Sequence, residues 1–287
     1  MIRIIKNEPL SKYTTYKVGG PAKYFIMPIT SRELVEAILW AKREKISYEI
    51  IGFGSNVLFM DEGFDGVVIS TALLNRWILD KKEVLVAGCG VGLIELVDFS
   101  INSGIAGFEK FAGIPGSVGG AVKMNAGAFG MEIKDILIDC LVYDIDKECF
   151  VTIKRENCLF SYRNAKGLKN KVILSASFVL RKGDIRELKK IKSDILIKRE
   201  NKQPLEYASC GSVFKRPSGD YAGRLIEDAG LKGFSIGGAK VSEKHANFIV
   251  NCGNAKSRDI LAIIDHVQST VYEKFGILLE PEVKIIK

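Results

Sequence analysis

The spacing of apolar residues changes period several times along the chain, and each change marks an element. Extended residues at 23–28 lead to Thr30, and Glu33 three places on makes a capping box for a helix from residue 31 to about 45. Leu34, Ile38 and Ala41 form its buried stripe. Residues 48–51 read as a short strand feeding the turn Gly52-Phe53-Gly54-Ser55-Asn56, with further strands at 67–70 and 84–87. Leu93, Leu96, Val97, Ser100 and Ile101 keep helical spacing until Gly104 stops them. Beyond a glycine-rich stretch, residues 135–143, 150–153 and 172–180 carry β-branched residues and alternating apolar positions, the pattern of a sheet. Near residues 181–185 the composition turns to charged helix, which sets the main boundary. A basic helix follows, then a glycine-broken loop, a long helix from 257 to about 275 on Ile260, Ile264, Val267 and Val271, and a last strand at 283–286.

This is a mixed α+β pattern without internal repeats or low-complexity segments. Its 287 residues and 47% hydrophobic content suffice for two domains of ordinary size. Charges interrupt every apolar run before it reaches membrane-spanning length, and the N-terminus lacks an apolar stretch with a cleavage site. A cytoplasmic protein is expected. Six cysteines without a CxxC pair, and two histidines not spaced with them, argue against structural zinc; all the thiols except Cys210 are expected to behave as small buried hydrophobes.

A net charge of +8 suits a nucleic-acid binder and equally an enzyme with phosphate-bearing ligands. Its distribution favours the second. Lys189, Lys190, Lys192, Lys198 and Arg199 surround Leu188, Ile191 and Ile195 as the solvated face of an amphipathic helix, and stacking aromatics are absent from the stretch.

The segment GIPGSVGGAVKMNAGA, residues 113–128, holds glycine at 113, 116, 119, 120 and 127. Each such glycine costs about 0.5–1 kcal/mol of backbone entropy against alanine, so the main chain must do something a side chain would prevent. Close approach to a diphosphate by successive N–H groups is one such use; a set of tight turns is the other. No Gly-Lys-Ser/Thr follows, and the spacing is not GxGxxG after a strand, which excludes a P-loop and a Rossmann unit. With GFGSN at 52–56 and KVGGPA at 17–22, the segment makes three glycine turns for one cofactor groove.

TTYKVGGPA, IGFGSNVL, GIPGSVGGAVKMNAGA, FSYR, SCGSVFKRP, AGRLIEDAGLKG, GGAKVSEKHANFIVN and LEPEVKII occur in the order found in the UDP-N-acetylenolpyruvoylglucosamine reductases, which the chain resembles over nearly its whole length. It is similar to the shorter type, without the inserted tyrosine-bearing loop. The resemblance implies a vanillyl-alcohol-oxidase-type FAD-binding fold over residues 1–182, in two subdomains meeting near residue 70, and an α+β substrate domain over 183–287. It implies FAD as cofactor, NADPH as hydride donor and a UDP-sugar substrate; a monomer with no nucleic-acid or membrane partner is expected.

By the same resemblance Ser212 matches the proton donor, Arg163 the catalytic arginine and Glu282 the catalytic glutamate. The cofactor residues it implies are Gly19, Gly20, Gly52, Gly54, Ser55, Asn56, Gly113, Ile114, Pro115, Gly116, Ser117, Gly119, Gly120, Asn125, Gly127 and Ala128. Tyr162, Lys215, Arg224 and Asn247 are candidate substrate contacts, and Arg216 a further candidate for the diphosphate. His245 reads as a satisfied structural histidine rather than a base.

Overall fold

The structure, a computed structural model, describes residues 2–81 and 84–287. Its helices are α1 (Ser31–Arg43), α2 (Leu93–Asn102), α3 (Val118–Lys123), α4 (Ile185–Lys202), α5 (Ala222–Asp228) and α6 (Ser257–Phe275). The chain separates into two compact units of interleaved segments. Unit 1 comprises residues 1–5, 25–53 and 67–198, and unit 2 comprises residues 6–24, 54–66 and 199–287.

The core sheet of unit 1 has five antiparallel strands in the order Cys149–Lys154, Leu137–Asp144, Lys171–Val179, Val84–Gly88, Ile78–Lys81. Strand Lys171–Val179 lies inside the sheet and is buried at Val172 to Ala176, as a strand covered on both faces must be. Helix α3 packs on this strand. Elsewhere in the unit, Tyr48–Ile51 pairs in parallel with the end of Phe64–Ser70, from Tyr48↔Val67 to Ile51↔Ser70. Helix α1 buries Leu34, Ile38 and Ala41, and α2 buries Leu93, Leu96, Val97, Ser100 and Ile101, the stripes that their apolar periods predict.

The cap of α1 differs from the expected box. Thr30 Oγ1 accepts the Glu33 N–H at 3.2 Å, but the Glu33 carboxylate takes the N–H of Ile29, at 2.8 Å, instead of that of Thr30. The helix also ends two residues early, because Lys45 adopts a left-handed conformation at φ 57°.

Unit 2 is held by a core in which Tyr16, Val18 and Leu58 pack with Cys210, Phe214, Leu225, Ile226 and the α6 stripe Ile260, Ile264, Val267 and Val271. Strands Ser235–Ile236, Ala239–Val241 and Ile249–Asn251 form a small antiparallel sheet, and α6 packs against its first two strands. Lys284–Ile286 adds in parallel to Val57–Phe59.

Two sequence expectations are corrected here. Arg199 is buried, not on the solvated face of α4, where Leu188 and Ile195 are buried as expected. Cys149 and Cys252 are exposed, while Cys210, the thiol held apart from the buried set, lies inside the unit 2 core. No described helix is long and apolar enough to cross a membrane.

Candidate active site

In unit 1 the glycine-rich segment runs from a 3₁₀ turn at Glu109–Phe111 through Gly113–Ser117 into α3. Gly113 at φ 74° and Gly116 at φ 131° hold backbone conformations that a side chain would strain. Ser117 caps α3, its Oγ accepting the Gly120 N–H at 3.2 Å. The turn at Gly52 is brought against it: a Cβ at Gly52 would stand 2.4 Å from Ser117 Oγ. Two of the glycine turns therefore meet at Ser117.

The amides of this segment divide into two groups. Val118 N–H donates to Val91 O at 2.8 Å and Gly119 N–H to Cys89 O at 3.0 Å, so with the Gly120 N–H on Ser117 the first turn of α3 is spent inside the protein. A Cβ at Gly119 would stand 3.0 Å from Cys89 Cβ, so this glycine serves close packing of α3 on the stretch that starts at Cys89. By contrast, no described residue accepts the N–H of Gly116 or Ser117. Those two amides, with Ile114 half-buried and Pro115 exposed beside them, suit an anionic ligand such as a diphosphate. The amides that suit FAD are thus fewer than the glycines of residues 113–128.

Asn125 is fully buried and left-handed at φ 42°. Its Nδ2 donates to Ser161 O at 3.1 Å and to Glu132 Oε2 at 3.0 Å, and its Oδ1 accepts the Lys134 N–H at 3.1 Å. Both N–H donors of its amide and its carbonyl oxygen are engaged within unit 1. Gly127 and Ala128 pair with Met131 and Glu132 in a short hairpin, and a Cβ on Gly127 would stand 2.6 Å from Met131 O.

Arg163 sits on a second small hairpin, in which Phe160 pairs with Ala165 and Ser161 with Asn164, leaving Tyr162 and Arg163 as the turn. Arg163 adopts φ 55°, a left-handed conformation better suited to glycine or asparagine. Its Nη2 donates to Gly127 O at 3.1 Å, and its guanidinium lies 5.1 Å from the centroid of the exposed Tyr162 ring. An arginine at a position that local preference opposes, held against the glycine-rich segment, is an arrangement found at functional sites.

Unit 2 explains the remaining turns mainly by chain packing. A Cβ at Gly54 would stand 1.9 Å from Tyr13 O, and one at Gly20 would stand 2.1 Å from Asp61 O. Thr15 N–H reaches Gly54 O at 3.1 Å, Gly20 N–H reaches Met60 O at 2.9 Å, and Gly19 turns at φ 123° against Phe59. Gly19, Gly20 and Gly54 are therefore required by the backbone of the unit itself, as tight turns are. Ser55 is half-buried, and Asn56 Nδ2 donates to Glu282 O at 3.0 Å while its carbonyl accepts the Lys284 N–H at 3.0 Å.

The same unit brings Ser212 and Glu282 onto neighbouring segments. Glu282 N–H donates to Val213 O at 2.7 Å, Phe214 bridges Pro281, and Ser212 bridges Phe248. Asn247 fixes this stretch: its Oδ1 accepts the Phe214 N–H and its Nδ2 donates to Phe214 O, each at 2.9 Å. Both polar atoms of its amide are thus engaged on the Phe214 backbone. Arg224 likewise lies between Asp220 and Asp228, so its charge is already met by two carboxylates, and Lys215 pairs with Glu280. Arg216 stacks over the ring of Tyr221 at 4.7 Å.

Cys210 is buried against Tyr16, and burial pushes its thiol up to about 12. Sequence gave no hint of that neighbour, since Tyr16 and Cys210 are far apart along the chain. His245 accepts the Asn247 N–H on Nδ1, packs on Phe248 and is held below its ordinary pKa by burial, as a satisfied structural histidine should be.

Residues 22–148 match the family described as FAD binding domain, and residues 203–286 match the C-terminal domain of UDP-N-acetylenolpyruvoylglucosamine reductase. UDP-N-acetylenolpyruvoylglucosamine reductase of Caldicellulosiruptor bescii is 44% identical over 99% of this chain and 91% of its own length. The protein of that name from Listeria welshimeri is 45% identical over 99% of this chain and 96% of its own. The crystal structure of UDP-N-acetylenolpyruvylglucosamine reductase from Thermus caldophilus superposes with a TM-score of 0.85 at 33% identity, covering 100% of this chain and 99% of that one. BBE-like 1 of Physcomitrella patens, at 16% identity, superposes with a TM-score of 0.50 over 63% of this chain and 42% of its own, a likeness of fold alone. The expected vanillyl-alcohol-oxidase-type fold is the fold of this chain.

Proposed function

Because the chain belongs to the UDP-N-acetylenolpyruvoylglucosamine reductase family, we propose that it reduces the enolpyruvyl ether of UDP-N-acetylglucosamine enolpyruvate to UDP-N-acetylmuramate with NADPH, in peptidoglycan precursor synthesis. The observation that carries this is identity of 44% and 45% to relatives of that name across 99% of the chain. We place the enzyme in the cytoplasm as a monomer that binds no nucleic acid. Residues 1–182 are assigned to FAD and 183–287 to the UDP-sugar.

Bound FAD supplies the hydride transfer from NADPH to the substrate double bond. The N–H groups of Gly116 and Ser117, beside Gly52 and Gly113, are assigned to its diphosphate. The rest is the work of side chains. Hydride addition leaves negative charge on the carbon that bears the carboxylate, delocalised as an enolate. The Arg163 guanidinium meets that carboxylate with a permanent, forked donor set. Ser212 then gives its hydroxyl proton to the carbon, and Glu282 orients the substrate or restores the proton to the serine.

Tyr162 and Lys215 keep enough exposure to serve as sugar or nicotinamide contacts. Arg224 and Asn247, engaged by Asp220, Asp228 and Phe214, are left out of the substrate set. The test is direct: UDP-N-acetylglucosamine enolpyruvate added anaerobically to the photoreduced protein should restore the oxidised flavin spectrum. A spectrum that stays reduced would remove the proposal.

A further inference from the structure

We propose that Asn125 is a positioning residue for Arg163, fixing the arginine's hairpin to the glycine-rich segment; this rests on the role given to Arg163 above. The hairpin Phe160–Ala165 has two residue pairs, too few to set its own orientation, and Ser161, Tyr162 and Asn164 are exposed. Two anchors bind it to residues 125–127. Asn125 Nδ2 holds the Ser161 carbonyl at 3.1 Å, and the Gly127 carbonyl receives the Arg163 guanidinium at 3.1 Å.

Asn125 suits this task in both backbone and side chain. Its left-handed φ of 42° is one that asparagine tolerates better than most residues, and it turns the chain out of α3 toward Gly127. Both donors of its amide are placed, on Ser161 O and Glu132 Oε2, and its oxygen accepts the Lys134 N–H. Glu132 is held in turn by Lys134, 2.6 Å away. Full burial removes water as a competitor, so loss of the amide would leave the Ser161 carbonyl without this partner and free the hairpin to move. A displacement of about 1 Å at a reacting group is enough to cost on the order of a hundredfold in rate.

Asn125→Gly keeps the left-handed backbone and deletes the amide, and it should be compared with Arg163→Lys and with the double variant. Expected for Asn125→Gly are FAD content and reduction by NADPH like the parent, reoxidation by the UDP-sugar slowed about tenfold or more, and faster amide hydrogen exchange at residues 160–165. In the Arg163→Lys background the same change should add less than about threefold, because residues acting as one unit are not additive. Should Asn125→Gly fail to fold, Asn125→Asp replaces it: the carboxylate keeps an acceptor for Lys134 and removes both donors, and the same split is expected. Loss of FAD, equal slowing of both half-reactions, or full additivity with Arg163→Lys would overturn the positioning role. If Arg163→Lys alone leaves the UDP-sugar step unchanged, it is the role of the arginine that fails; if it slows that step and Asn125→Gly does not, only the positioning fails.

Discussion

Ser212 and Cys210 flank Gly211 and both carry a transferable proton. On reference acidity the thiol is the better acid, near 8.5 against a hydroxyl. The fold reverses the choice. Cys210 is buried beside Tyr16 and raised to about 12, whereas Ser212 lies partly exposed on the segment that pairs with Phe248 and adjoins Glu282. Ser212→Ala should bind FAD and accept electrons from NADPH yet reoxidise with the UDP-sugar slower by roughly 10² or more, the range for losing a positioned acid. Cys210→Ala should keep both half-reactions and lose about 1 kcal/mol of stability, as for removal of one small buried group. Stopped-flow flavin absorbance of the two variants decides between them. A thiol reagent at pH 8 should react rapidly with Cys149 and Cys252 and leave Cys210 untouched, which mass spectrometry of the labelled protein reports.

Elements show which parts of the site were legible. The stripes of α1, α2 and α6 were readable because each helix buries one face, and burial writes the 3.6-residue period into the sequence. The glycines were legible as necessary but not as to cause. Gly20 and Gly54 exclude a side chain because the backbone of another segment of the same unit, at Asp61 and Tyr13 respectively, passes against them, and only three-dimensional proximity reveals which backbone that is. The two glycines of α3 separate on the same ground. Gly119→Val should drive its branches into Cys89 and cost about 1–3 kcal/mol of overpacking. Gly120→Ala, which meets only Ser117 Oγ at 3.4 Å, should fold as well as the parent or better, since alanine favours a helix over glycine by about 1 kcal/mol. Thermal unfolding and the flavin-to-protein absorbance ratio check both. Loss of flavin from a fully stable Gly120→Ala would place the cofactor against that glycine.

The hairpin of Arg163 carries a conflict between element and function. Its left-handed turn position favours glycine, so Arg163→Gly relieves about 1 kcal/mol of backbone strain while giving up the bond to Gly127 O. Stability should stay within about 1 kcal/mol of the parent while reoxidation by the UDP-sugar falls sharply. Calorimetry beside half-reaction kinetics reads both. A large loss of stability would make the arginine a structural residue. Nothing in the pattern FSYR announces the strain, because the spacing of a two-residue turn does not state its φ angles.

Across the whole molecule, pH acts on the buried thiols. Cys89 and Cys210 both rise from 9.0 to about 12 because burial disfavours the thiolate. Between those values the unfolded chain has lost these protons and the folded one keeps them. The contribution is therefore full below pH 9.0 and is lost as pH rises toward about 12. Urea midpoints should fall between pH 8 and pH 10, and the Cys89→Ala, Cys210→Ala double variant should flatten that fall.

The parallel strand Lys284–Ile286 has a consequence for synthesis of the chain. Unit 1 takes no segment from beyond residue 198, while unit 2 draws on residues 6–24 and 54–66 and closes only when Lys284–Ile286 lies beside Val57–Phe59. A chain made from its N-terminus can settle the first unit while Tyr16, Val18 and Leu58 still await Cys210, Phe214 and α6. During translation those apolar residues stay without their final partners for most of the time the ribosome takes to finish the chain, and they are where a chaperone would find purchase on the nascent protein.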